Sequence, residues 1–154
     1  MGIVATIDNR KDFEPVTEMI QPGVLADIVD KGQVPDSFNP GKTKHKCYFV
    51  WLLAEEDTEG RNKRVFKSFT VSLHEKASLR KHIKELTGKD VTGESFDLDS
   101  LIGIKRLLVL AQEDAKEPGG KPFTKITATM PLKKGQTAPE IPADFVRKQD
   151  QPAQ

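Results

Sequence analysis

Lys44-His45-Lys46-Cys47-Tyr48-Phe49-Val50-Trp51-Leu52-Leu53-Ala54 is the stretch whose reading decides the fold. Its centre is aromatic and β-branched, the composition that packs well on a pleated strand. Successive positions are apolar, so alternation alone does not say which face is buried. Cys47 supplies the parity. A free cysteine is among the most buried residue types, and it shares its side with Phe49, Trp51 and Leu53. That set is expected to face the core, and Lys44, Lys46, Tyr48, Val50 and Leu52 to face outward. The acidic run Glu55 to Gly60 closes the strand and reads as a solvated hairpin tip.

The elements on either side extend the pattern. Upstream, Val24, Ala26 and Ile28 alternate with Leu25, Asp27 and Val29, the period of a strand, until Gly32 and Pro35 stop it. The loop from Asp36 to Gly41 is dense in turn formers. Downstream, Lys63 to Leu73 predicts a third strand, with Val65, Phe69, Val71 and Leu73 inward and Arg64, Phe66, Ser68 and Thr70 outward. Lys67 interrupts the inward set, which marks a bulge or a barrel rim.

The period then changes. Leu79, Ile83 and Leu86 recur at helical spacing, Gly88 offers a stop, and Ser72-Leu73-His74-Glu75 has the form of a capping box. Asp97 and Asp99 flank a short helical start, where capping is their ordinary role. Ile104 to Ala111 and Phe123 to Met130 complete the strands, the last alternating Ile126, Ala128 and Met130 against Lys125, Thr127 and Thr129. This order, β-β-β-α-β-β, predicts an all-β domain with one helix: a five-stranded OB-fold barrel. The domain is expected over residues 20–131, after an N-terminal arm (1–19) and before a flexible C-terminal tail (132–154) rich in Pro, Gly, Gln and charge.

A chain of 154 residues has room for one such domain. The net charge of +1 excludes a whole-protein field that would draw it onto nucleic acid or membrane. Attraction must come from clustering, and ten Lys/Arg against five acids lie between Lys42 and Lys81. One cysteine excludes an internal disulfide. Neither a basic leader with a long apolar run nor a stretch of the roughly 20 apolar residues needed for a membrane helix is present, so a cytoplasmic protein is expected, without membrane contact.

Chemistry-bearing motifs are sparse. His45, His74, His82 and Cys47 have no metal-site spacing beyond the His45/Cys47 pair, and no nucleophile elbow, Walker loop or dinucleotide fingerprint occurs. No enzyme activity, metal or cofactor is expected. The outward rows of the second and third strands instead put Tyr48 and Phe66 among Lys44, Lys46 and Arg64, with Phe38 and Lys42 bordering them from the first loop. Aromatic faces stack bases and cations meet phosphates. Trp51 reads as core by parity but stays among the candidates, because a one-residue slip would expose it. The same face also suits a protein-interaction module, and an RNA ligand is a further variant.

The run Phe69-Thr70-Val71-Ser72-Leu73-His74-Glu75-Lys76-Ala77-Ser78-Leu79-Arg80-Lys81, followed by Phe96-Asp97-Leu98 and Leu101-Ile102-Gly103, resembles a family of small phage and prophage proteins. Its members are described as single-stranded DNA-binding or replication proteins. Tyr48-Phe49-Val50-Trp51 and Pro131-Leu132-Lys133-Lys134-Gly135 have counterparts there, so the resemblance spans roughly residues 20–140. It implies an OB fold and a role in phage DNA replication or recombination, with single-stranded DNA as partner and phage or host replication proteins as further partners; self-association into a homo-oligomer is left open. It implies no set of binding residues. The family often has a polar residue at position 52, so Leu52 departs from it and suggests a protein contact. The tail, ending Gln151-Pro152-Ala153-Gln154, also lacks the acidic, hydrophobic-tipped end through which bacterial single-stranded DNA-binding proteins recruit partners.

Overall fold

A computed structural model describes residues 16–36, 38–74, 77–91, 95–113 and 123–148. Its elements are β1 (Ile20–Pro35), β2 (Thr43–Glu56), β3 (Asn62–Thr70), α1 (Ser78–Thr87), a 3-10 turn (Leu98–Leu101), β4 (Lys105–Glu113) and β5 (Phe123–Met130). The strands form one antiparallel sheet in the order β3-β2-β1-β4-β5. The long central β1 pairs along most of its length with β2 and, through Ile20 to Val24, with β4.

Register explains how so long a strand curves. Ala26 and Lys31 are bulge residues in β1, skipped in its pairing with β2. A bulge bends the strand and shifts its parity. Leu25, opposite Trp51, and Ile28, opposite Phe49, therefore both enter the core although three positions separate them. Gly23 sits where β1 passes closest to its neighbours: a Cβ there would lie 2.6 Å from Leu108 Cδ1 and 3.1 Å from the Leu52 carbonyl oxygen. The core joins Phe49, Trp51, Leu53, Val65 and Phe69 to Leu79, Ile83 and Leu86 of α1 and to Leu108 and Ile126. The inward set expected for β2 is buried throughout.

The five antiparallel strands and single helix are as expected, but the sheet does not close into the expected OB-fold barrel: no ladder joins β3 to β5. The physical reason lies in the seam. The edge N–H of Thr129 in β5 donates to Glu85 Oε1 of α1 at 2.7 Å, where a closed barrel would offer it a strand carbonyl, and the Thr129 hydroxyl donates to the same oxygen at 2.8 Å. Lys67 enters the same gap, its Nζ 3.5 Å from the Ile126 carbonyl oxygen. Its interruption of the inward set marks this rim.

Local departures have local causes. The helix does not start at the expected capping box: Ser72 Oγ accepts from the His74 N–H at 3.2 Å, and α1 begins further on at Ser78, with Ala77 as an N-cap that makes no side-chain hydrogen bond. Glu75 lies outside the described residues. Gly88 ends the helix as expected, at φ 78°, its N–H donating to the Lys84 carbonyl, and Asp97 caps the 3-10 turn by accepting from the Asp99 N–H. Between β4 and β5 the register slips at Val109 and Leu110, so that Thr127 is skipped in the pairing. Thr129 is therefore buried beside Ile126, while Ala128 and Met130 are exposed, against the simple alternation expected.

The segment expected to be a loose tail lies, over its described part, across the outer face of the sheet. Ile141 and Phe145 pack on Val24, Ala26 and Leu52. Arg147 Nε donates to Asp27 Oδ1 at 2.8 Å, its other guanidinium nitrogens reach Asp99, and the Lys148 N–H donates to Asp27 Oδ2 at 2.9 Å. Composition alone offers too little apolar surface to order this segment; two apolar anchors and a clamp on a buried carboxylate replace the missing surface. We call residues 139–148 the strap. Glu55 differs likewise from a solvated hairpin acid. It accepts from the N–H groups of Thr17 and Glu18 and from the Gln21 amide, and it pairs with Lys63.

Candidate functional site

The outward face of β2 and β3 is built by register. Tyr48 stands opposite Ser68, Val50 opposite Phe66, Leu52 opposite Arg64 and Lys46 opposite Thr70. Tyr48 and Phe66 are therefore diagonal neighbours, close enough for large side chains to meet. Their rings lie 6.0 Å apart at 74°, an edge-to-face pair, and Phe66 is 41% exposed. The two aromatics assigned to this face are thus brought together on it.

Cations gather around the pair. Lys31, in the second bulge of β1, holds its Nζ 5.9 Å from the centre of the Tyr48 ring. Sequence reasoning misses Lys31 because Gly32 reads as the end of the strand; Gly32 instead adopts φ 68° within β1, which continues to Pro35. Lys44 and Lys46 come from β2 beneath the same hairpin. Lys44 Nζ lies 5.7 Å from the Phe38 ring and 3.9 Å from Asp36.

The β1–β2 turn presents Phe38 to solvent at 85% exposure. Asp36 organises that turn: Asn39 Nδ2 and the Phe38 N–H donate to its carboxylate at 3.0 and 2.9 Å. These hydrogen bonds, Asn39 first, hold the Asp36 carboxyl below its ordinary range, with Lys44 adding to the effect. Lys42 lies exposed in the same turn, its N–H donating to the Asn39 carbonyl.

Two assigned residues are elsewhere engaged. Trp51 is fully buried in the core and cannot stack a base, which corrects its place among the candidates. The cause is the parity shared with Cys47. Arg64 is on the outward face as expected, but its guanidinium lies 5.4 Å from the Phe145 ring of the strap. The strap thereby divides the face: Leu52 is covered, and the half bearing Tyr48, Phe66 and Lys46 is not. Leu52, expected to mark a protein contact, meets a segment of its own chain.

Asp30, His45 and Cys47 are among the residues lining one cavity, with His45 Nε2 2.6 Å from Asp30 Oδ1. Burial pushes the Cys47 thiol up to about 11, so the unliganded thiol is protonated at neutral pH. No group of three or more metal-ligating side chains occurs among the described residues, and no described helix is long and apolar enough to cross a membrane. Comparison with models of known protein families and with curated proteins finds no match.

Proposed function

We propose that the chain is a single-stranded DNA-binding protein of OB type that coats or protects single strands during phage DNA replication or recombination. The observation that carries this reading is the Tyr48–Phe66 pair on an outward sheet face, with Lys31 over the Tyr48 ring, Lys46 next along the same face, and Lys44 further on beside Phe38. A stacked base contributes about 1–3 kcal/mol on aromatic platforms of this kind, with little dependence on sequence. Nearby lysines gain by releasing counterions from the phosphates they meet. The OB reading is supported by the connectivity: β1 is shared between β2 and β4, and α1 seals the seam between β3 and β5. The phage setting rests on the family resemblance.

Fluorescence anisotropy with a labelled oligothymidylate tests it. The wild-type protein is expected to bind at low salt. Tyr48→Ala and Phe66→Ala should each weaken binding by about tenfold, the equivalent of one lost stack, with thermal unfolding little changed. Absence of wild-type binding at low salt would sink the proposal. The rival reading, a protein-interaction module, is favoured by Phe38, an aromatic held out on a hairpin tip. Nuclease-resistant recovery of one replication protein, lost on Phe38→Ala, would favour it instead.

A further inference from the structure

A second surface adjoins the Tyr48–Phe66 platform. A groove of about 720 Å³ runs between the outer edge of β3 and α1, within the roughly 300–1,000 Å³ usual for ligand sites. One wall is β3, an edge strand with no ladder on this side. The other wall is a single helix stripe, Ser78, Lys81, His82 and Glu85, at the three- and four-residue spacing that aligns side chains on one face. Lys46, Ser68 and Thr70 line both the groove and the outward face, so the two surfaces are continuous.

The groove carries a net positive charge over its described lining. Lys46, Lys67 and Lys81 line it, and its one lining carboxylate, Glu85, already accepts both the N–H and the hydroxyl of Thr129. His82 forms the floor. Burial, with Lys67 next, pushes its imidazole down to about 4, so it is neutral at physiological pH and the positive charge rests on the lysines. The first turn of α1 opens on this groove with no acidic residue in that turn and no side-chain cap among the described residues, so the positive end of the helix dipole adds to the lysines there. Hydroxyls, lysines and a strand edge suit a sugar–phosphate backbone better than a flat base, because the phenyl ring that lines the groove, Phe69, is itself buried in the core.

We infer that this groove is a second segment of the DNA path, holding the phosphate backbone of nucleotides that run on from the Tyr48–Phe66 platform across the edge of β3. The inference rests on the single-stranded DNA reading above. It makes affinity depend on strand length: a short oligonucleotide fills the platform alone, and a longer one also enters the groove.

The test titrates oligothymidylates of about 4 and about 16 nucleotides, the span covered by one OB fold, against three variants. Lys81→Glu reverses a groove charge; Lys89→Glu makes the same charge change beyond the far end of α1; Ser78→Glu puts a carboxylate on the groove wall in the first helical turn, where it favours the helix. Lys81→Glu and Ser78→Glu should leave the short oligonucleotide within about twofold of wild type, weaken the long one by about tenfold, and lower its salt slope by about 0.7 for each phosphate that the groove no longer neutralises. Lys89→Glu should follow the wild type on both. If the groove variants match Lys89→Glu on the long oligonucleotide, the groove is off the path while the platform reading survives. If the wild type binds neither length, the platform reading fails and the groove falls with it.

Discussion

Gly23 lies at the closest approach of three strands, paired to Leu53 of β2 and Arg106 of β4. Its φ is not in the left-handed region; the demand for glycine is one of space. Leu108 is fully buried and has little room to withdraw from an added methyl, and the Leu52 carbonyl belongs to a paired strand. Gly23→Ala is therefore expected to lower stability by about 1–3 kcal/mol, the range for overpacking a core, seen as an earlier midpoint in urea unfolding. An unchanged midpoint would mean that Leu108 finds another rotamer. Trp51 and Tyr48, close together on β2, show how parity assigns a residue its work: one fills the core and the other faces out with Phe66.

At the scale of elements, the strap is held by a charge clamp. Asp27 is 3% exposed, and it receives the Arg147 guanidinium, the Lys148 N–H and the Ile28 N–H. Removing one partner of a buried pair leaves a charge uncompensated, which is worse than removing both. Arg147→Ala is expected to destabilise the fold by about 2 kcal/mol, below the full buried-pair penalty because the arginine is itself partly exposed. Asp27→Asn combined with Arg147→Ala should recover part of that loss. The measurement is a double-mutant cycle by chemical denaturation; additive losses would show that the two residues act independently. Because Phe145 lies against Arg64 and over Leu52, loosening the strap also uncovers the second half of the β2–β3 face.

For the molecule as a whole, Glu55 ties the described start of the chain to the β2–β3 hairpin. Burial alone would raise its carboxyl, but the Lys63 ammonium and the N–H groups of Glu18 and Thr17 prevail and bring it down from 4.5 to about 2. A carboxyl depressed by folding contributes stability that is complete above its unfolded value and is lost as pH falls toward its folded value. Stability should therefore decline between pH 4.5 and about 2, and Glu55→Gln should flatten that decline while lowering stability at neutral pH. Thermal melts of both proteins across this range check it. An equally steep acid loss in the variant would assign the effect to other carboxylates.

Local sequence determined the number, type and order of the elements. Strand alternation, helical spacing and the Gly88 stop are properties of a few adjacent residues, and the parity of β2 could be taken from Cys47 alone. The pairing of Tyr48 with Phe66 was legible for the same reason, since two outward rows on adjacent strands must meet. Tertiary structure decided the rest. Bulges at Ala26, Lys31 and Thr127 depend on how neighbouring strands register, so the place of Lys31 beside Tyr48 and the burial of Thr129 have no local signal. The open seam depends on Glu85 reaching β5 across the fold, and the strap on Arg147 meeting an aspartate 120 residues earlier. The groove exists only because α1 lies along β3. Each of these is a contact between distant segments, whose free energy comes from burial and charge pairing that no window of adjacent residues contains.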